Sequence, residues 1–388
     1  MHRVVIDTLK FYLAPGILSA LQGHQVAAVK VEEYTQSATR EGADFLLLSA
    51  VRVADLGGQD GVIEAARNAR ARSVCIVDEA ATKFGITTEL SGKIVRLALG
   101  PEIGRDYAVL WLSAMVHGTG RALVRSDSAA RLFEVAERVA KADVSVFING
   151  PTGSGKEVMS RFIHAKSRRA QGAFVAINCA AIPENMLEAM LFGHEKGAFT
   201  GASTANVGLI RAADGGTLLL DEISEMSMHL QAKLLRAIQE RVVTPVGGTR
   251  QINVDIRFLA TSNRNMQVEC NAGRFREDLF YRLNVFPITT MPLAARTKDI
   301  LPIALEFLVR HSRDMTEIPY LAPCAIARLE DYDWPGNMRE LENVIQRALV
   351  LKAGPEITAD AIMIDQLSNV LSNDEIKLNA APPAWQSI

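Results

Sequence analysis

At 388 residues the chain is long enough for two or three domains, and 48% hydrophobic with 22% charged residues is ordinary for a globular protein. Its 42 basic and 44 acidic residues leave a net charge of about −2, which excludes an overall electrostatic bias toward nucleic acid. The four cysteines (Cys75, Cys179, Cys270, Cys324) form no CxxC pair and the seven histidines have no metal-ligand spacing. With no secretory leader and no apolar run long enough for a bilayer, the expectation is a cytoplasmic protein with reduced thiols and no membrane contact.

From the start of the chain, RVVI (3–6), VAAVKV (26–31), DFLLLSAV (44–51) and SVCIV (73–77) read as strands, with helices at 14–23 and 61–71 between them. That alternation predicts a small α/β domain with a parallel sheet. AVLWLSAMV (108–116) fits a buried helix, and the polar, Gly-containing stretch 116–129 reads as a linker. A helix over about 128–141 precedes VSVFING (144–150), a strand that ends in glycine, and strand–helix alternation continues to about 290. Beyond PLAAR (292–296) the pattern turns helical, with apolar periodicity at 299–315 and 338–351.

GPTGSGKE (150–157) follows a strand and opens a helix. Gly150, Gly153 and Gly155 allow the backbone to curl with successive N–H groups facing a phosphate, and the helix adds its positive end. Thr152 and Ser154 belong to this loop, and Lys156 would reach the β/γ-phosphates of ATP. Glu157 stands where a hydroxyl residue usually helps bind magnesium. Alone, the stretch could be a glycine-rich turn.

GGTLLLDEI (215–223) places Asp221 and Glu222 at a strand end, on the edge where open α/β sheets bind ligands. Asp221 would hold Mg²⁺ directly or through water, and Glu222 would polarise the attacking water. A third strand (255–263) ends in Ser262 and Asn263, which could sense the γ-phosphate or position that water. Arg276 and Arg282 lie six residues apart, about 240° around a helix, so both cannot serve one site of their own subunit. One could reach across an interface as an arginine finger, or both could be surface ion-pair residues. In WPGNMREL (334–341), Asn337 is expected to cap a helix, with Glu340 completing a capping box and Arg339 in the first turn. A cation there is poorly placed for the helix dipole, a cost that a γ-phosphate would offset.

With these pieces in this order, residues 126–365 resemble the AAA+ ATPase domain of bacterial enhancer-binding proteins, the NtrC-type activators of sigma-54 RNA polymerase. The stretches that carry the likeness are GPTGSGKE, FVAINCAAIPENMLEAMLFGHEKGAFTGA (174–202), GGTLLLDEISEM, LQAKLLRAIQER (230–241), VGG (246–248), FREDLFYRLNVFPI (275–288) and WPGNMRELEN. Among the branches the chain is most similar to flagellar regulators of the FlbD type. The resemblance implies a parallel α/β ATPase sheet sandwiched by helices (128–290) and a helical lid (291–365). It also implies ATP with Mg²⁺, and a ring of subunits. The GAFTGA hexapeptide Gly197, Ala198, Phe199, Thr200, Gly201 and Ala202 would contact the sigma-54 factor. Asn178 matches the position that couples the general-base glutamate to that loop.

Ala294, Ala295 and Arg211 depart from the family's usual residues. Residues 1–115 resemble a receiver domain only in rhythm, because Ser49 stands where a phosphoacceptor aspartate is expected and Asp7 alone remains of the acidic cluster. No aspartyl phosphorylation is expected. Residues 116–127 would be linker. The stretch from 366 to 388 is short and poor in basic residues, and it lacks a helix-turn-helix pattern. The expectation is therefore no specific DNA binding by the chain alone, and self-association or a mixed ring with a related activator. Two readings compete with a working ATPase: a regulatory ring subunit that retunes a DNA-bound partner, and an unrelated AAA+ remodeller.

Overall fold

Val4, Ile6, Leu47, Cys75 and Leu97 are buried on one face of the N-terminal sheet, and Val5, Leu46, Leu48, Val74 and Ile76 on the other. Burial on both faces is why these strands read as continuous apolar runs rather than alternating ones. The computed structural model describes residues 3–23, 27–31, 43–100, 105–117, 124–199, 203–312 and 318–364.

The first unit contains β1 (Arg3–Asp7), α1 (Ala14–Gly23), β2 (Ala27–Val31), β3 (Ala43–Ser49), α2 (Ala50–Asp55), α3 (Gln59–Asn68), β4 (Ala71–Asp78), β5 (Gly85–Glu89), β6 (Ile94–Ala98) and α4 (Arg105–His117). Its sheet runs β2-β1-β3-β4-β6-β5, parallel except for the antiparallel edge strand β5. The sequence pattern located the four strands through β4 but missed β5 and β6. No helix crosses between β4 and β6; a hairpin turning through Leu90, Ser91 and Gly92, all with positive φ, stands there instead. β3 also stops two residues before its expected end, because Ser49 Oγ accepts a hydrogen bond from Arg52 N–H and caps α2. The helix expected at 61–71 ends at Asn68, and Arg70, at φ 50°, turns the chain into β4.

The second unit opens with α5 (Asp127–Lys141), β7 (Val146–Asn149), α6 (Lys156–Ala165), β8 (Phe174–Asn178), α7 (Glu184–Phe192), α8 (Leu209–Ala212) and β9 (Thr217–Asp221). It continues with α9 (Met228–Glu240), the short pair β10 (Val242–Val243) and β11 (Ile252–Asn253), β12 (Arg257–Ser262), α10 (Met266–Asn271), α11 (Glu277–Leu283) and β13 (Phe286–Thr289). Five parallel strands run in the order β13-β7-β12-β9-β8, so the nucleotide-loop strand β7 lies beside β12, not beside its sequence neighbour β8. At the N-terminal edge of this sheet, buried Arg257 donates to the carbonyls of Val139, Ala140 and Val144 and satisfies the C-terminal end of α5.

The lid comprises α12 (Ile300–His311), β14 (Tyr320–Leu321), α13 (Pro323–Glu330), α14 (Asn337–Leu351) and β15 (Glu356–Ile357). β14 and β15 form a small parallel pair inside what the sequence read as wholly helical. Asp299 fastens the lid's start to the α5 N-terminus, accepting from Arg125 N, Ser126 N and Ser126 Oγ at 2.5, 2.6 and 2.7 Å. One apolar core runs from the first sheet through α4, with Trp111 fully buried, into α12 and α14. The expectations for 365–388 fall outside the described residues.

Candidate nucleotide site

The loop between β7 and α6 is shaped by glycines at positive φ, Gly153 at 74° and Gly155 at 99°, where a side chain would be strained. A Cβ on Gly153 would lie 2.5 Å from the Gly336 carbonyl oxygen; a Cβ on Gly155 would lie 2.4 Å from the end of Met338. The lid therefore rests directly on this loop. Met338 N–H donates to Gly153 O at 3.0 Å, and Asn337 Nδ2 donates to Thr152 O at 3.0 Å. From below, Arg296 Nη2 donates to Ser154 O at 2.7 Å, and Ser154 Oγ meets Thr290 Oγ1 at 2.7 Å. Burial pushes the Arg296 pKa down, with nearby Asp299 opposing.

A cavity of about 740 Å³ opens between the loop and the lid, a volume suited to a nucleotide. Thr152, Gly153, Gly155, Lys156, Glu157, Asn178, Asp221, Glu222, Asn263 and Arg339 all line it. The structure thus gathers these expected site residues, which span nearly two hundred positions of sequence. On the lid side Ile303, Phe307 and Met338 supply an apolar wall. Lys156 is buried, with Nζ 3.0 Å from Gly150 O and 3.2 Å from Glu222 Oε1.

The carboxylates are held by β12 and β8. Thr261 Oγ1 donates to Asp221 Oδ1 at 2.5 Å, and Asn178 Nδ2 donates to Asp221 Oδ2 at 3.2 Å. Asn178 Oδ1 in turn accepts from Ala180 N–H at 2.9 Å, so the side chain expected to link Glu222 to the hexapeptide loop is fixed beside Asp221. Glu222 leaves the strand at φ 50°; its N–H donates to Thr261 Oγ1 at 3.0 Å, and its Oε2 accepts from Asn263 N–H at 3.1 Å. Asn263 Nδ2 also reaches Thr152 Oγ1 at 3.1 Å, linking the third strand end to the phosphate loop.

Several expected residues lie elsewhere. Ser262 is fully buried and bonds Ser224 Oγ and Arg264 N, facing away from the cavity. Ser154 likewise points inward as a brace. The α14 N-cap is Gly336; Asn337 lies at φ 55°, and its side chain is spent on Thr152 O and Leu293 N. Glu340 still accepts from Gly336 N–H at 2.8 Å, half of the capping box. Arg276 pairs with Asp278, which holds its pKa up, outside the cavity. Arg282 lines a separate cavity of about 290 Å³ with Asp143, Arg241 and Arg257, at the opposite edge of the sheet. Sequence reading missed Thr261, Thr290 and Arg296 as parts of the site, since each acts through a partner distant in sequence.

The glycine cradle, the buried lysine and the cavity fit a nucleoside triphosphate. Among the described residues no three His, Cys, Asp or Glu side chains form a ready-made metal cage. A cation held by one carboxylate and substrate phosphates needs none, and Asp221 supplies such a donor. No helix among the described residues is long and apolar enough to cross a membrane.

In the hexapeptide, Phe199 is half exposed and its ring meets His194 edge-on at 4.9 Å. A 670 Å³ groove beside it is lined by Met186, Met190 and His194. His194 bridges to Asn206 and Val246, which pins the loop's stem. Gly197 and Ala198 lie on that stem, while Thr200, Gly201 and Ala202 fall outside the described residues.

Comparison with known proteins agrees with this geometry. Residues 122–289 match the sigma-54 interaction domain and residues 294–377 the AAA+ ATPase lid domain. The transcriptional regulatory protein FlbD of Caulobacter vibrioides is 42% identical over 367 residues, covering 94% of this chain and 80% of that protein. The response regulator protein FleR of Pseudomonas aeruginosa is 58% identical over 225 residues, covering 58% of this chain and 48% of FleR. The crystal structure of NtrX from Brucella abortus in complex with ATP superposes with a TM-score of 0.59 at 27% identity, covering 94% of this chain and 87% of that one. A receiver-like α/β sheet, a parallel P-loop sheet and a lid, with sequence likeness across nearly the whole chain, admit one assignment: the protein belongs to the sigma-54-dependent transcriptional activators of the NtrC and FlbD type, and its central domain is an AAA+ ATPase.

Proposed function

We propose that the chain hydrolyses Mg²⁺–ATP at sites shared between the subunits of a ring, and passes the energy through residues 197–202 to sigma-54 in the closed promoter complex. One observation carries the shared-site reading. Lys156, Asp221, Glu222 and Asn263 converge on one cavity, whereas Arg276 and Arg282 both stay outside it, Arg282 at the far edge of the same sheet.

In this mechanism the loop N–H groups and Lys156 hold the β- and γ-phosphates. Glu222, oriented by Asn263 N–H, takes the proton of the attacking water. Asp221, held at both oxygens, would bind the magnesium ion, whose chemistry is to neutralise charge that develops between the β- and γ-oxygens. A finger arginine, Arg276 or Arg282, comes from a neighbouring copy of this chain or from a related activator. The sequence resemblance supports flagellar genes as targets, and a sigma-54 partner is in keeping with action in the cytoplasm.

Glu222→Gln tests the core of this reading. The variant should bind ATP within about threefold of the parent and hydrolyse it about a hundredfold more slowly. Hydrolysis near the parent's rate would remove Glu222 from its assigned role.

A further inference from the structure

Thr261 was not among the residues the sequence offered, yet its hydroxyl bonds both strand-end acidic residues, the carboxylate of Asp221 and the backbone N–H of Glu222. It is the penultimate residue of β12 and fully buried. β12 and β9 pair in parallel with Ala260 opposite Leu220, which sets Thr261 abreast of Asp221. Adjacent residues in register project to the same side of a sheet.

The hydroxyl works in both directions. Glu222 turns out of the strand at φ 50°, which takes its N–H off the β ladder, and Thr261 Oγ1 accepts that N–H at 3.0 Å. Its one proton goes to Asp221 Oδ1 at 2.5 Å, a short charge-assisted contact. Asn178 holds the other oxygen, so the carboxylate is fixed at both ends where Asp221 lines the cavity. The next hydroxyl, Ser262, is spent on Ser224 and offers no substitute.

We propose that Thr261 is the positioning residue that presets the Asp221–Glu222 pair, and thereby sets the site's affinity for the divalent cation that accompanies the nucleotide. This inference rests on the reading of Asp221 as the cation ligand. A preset ligand does not have to be ordered when the cation arrives, so loss of the hydroxyl weakens cation binding before it affects nucleotide binding.

The experiment uses the full chain with Thr261→Val, Thr261→Ser and Asp221→Asn. Fluorescent mant-ADP is titrated in EDTA, Mn²⁺ bound to the ADP complex is followed by electron paramagnetic resonance, and steady-state ATPase rates are recorded. T261V should bind mant-ADP in EDTA within about twofold of the parent, because the loop and Lys156 do not touch Thr261. It should need about tenfold more Mn²⁺ for half-saturation and show a kcat about tenfold lower with KM for ATP little changed, and T261S should recover both. If T261V does not fold, Thr261→Ala takes its place with the same expectations. Should D221N weaken Mn²⁺ binding while the Thr261 variants bind it like the parent, or should T261S be as impaired as T261V, Thr261 has no such role. Should D221N itself bind Mn²⁺ normally, the reading of Asp221 fails and this inference fails with it.

Discussion

The hydroxyl oxygen of Tyr107 accepts a hydrogen bond from the backbone N–H of Leu321 at 2.9 Å, joining the last helix of the N-terminal unit to the first strand of the lid. Around it, Phe84 meets Tyr107 and Tyr320 edge-on, and Ile318 N–H donates to Ile86 O at 3.1 Å on the edge of β5. The same lid carries Ile303 and Phe307 on the wall of the nucleotide cavity. Tyr107→Phe leaves a buried N–H without its acceptor, a loss of about 1–2 kcal/mol. Amide exchange at Leu321 should then quicken about tenfold or more; unchanged protection would mean that the hydroxyl does not hold the lid.

Mixing inactive variants tests the shared site. If Arg282 acts across the interface, Arg282→Ala and Glu222→Gln subunits are each inactive alone. A one-to-one mixture rebuilds intact interfaces and should recover roughly a quarter of the parent's ATPase, assuming random mixing and independent sites. A mixture as inactive as its components would argue against Arg282, and the same mixing with Arg276→Ala then decides for or against the other arginine.

The receiver-like pole is charge-balanced by its own side chains. Ser49 ends β3 and is buried, and Asp7, 1% exposed, lies 3.0 Å from Arg52 Nε. Acetyl phosphate with Mg²⁺ should add no phosphoryl group to residues 3–117, as read by intact mass and peptide mapping. Arg52→Ala should lower unfolding stability by about 1–3 kcal/mol, because it takes a cation away from a buried carboxylate. A phosphorylated aspartate in this unit would contradict the reading.

Cys179 reports on how closed the site is. Burial, then Asp221 and Glu222, push its thiol up to about 12, and burial alone pushes Cys75 up to about 12. At pH 8 a thiol with that pKa is ionised in about one molecule in ten thousand, so alkylation through the thiolate nearly stops and recovers only as pH rises toward the pKa. Iodoacetamide at pH 8 should modify exposed Cys324 first and reach Cys75 and Cys179 only in denaturant. Modification of Cys179 as fast as Cys324 would mean that the core beside the Asp221 strand end opens readily.

What could be read from the sequence was whatever a short segment encodes alone. The phosphate loop and the Asp221–Glu222 strand end were legible because glycine spacing and an apolar run before two carboxylates fix local backbone and edge position. Thr261 and Asn337 were not, since their roles come from the β12–β9 register and from a lid contact 185 residues distant. Asn337 had the residue type of a helix cap, but closure onto Thr152 O outcompeted capping. β5 and β6 escaped notice because an edge hairpin stands where parallel-sheet rhythm calls for a helix, and β5 carries the polar run Thr87–Thr88–Glu89.

The most direct test of energy delivery through the hexapeptide measures open-complex formation at a supercoiled sigma-54 promoter alongside ATP turnover, with Phe199→Ala against the parent. Phe199 lies outside the nucleotide cavity, half exposed against His194. The expected result is ATP turnover within about twofold of the parent with open-complex formation reduced about tenfold or more. Promoter opening at the parent's level by Phe199→Ala would contradict the account.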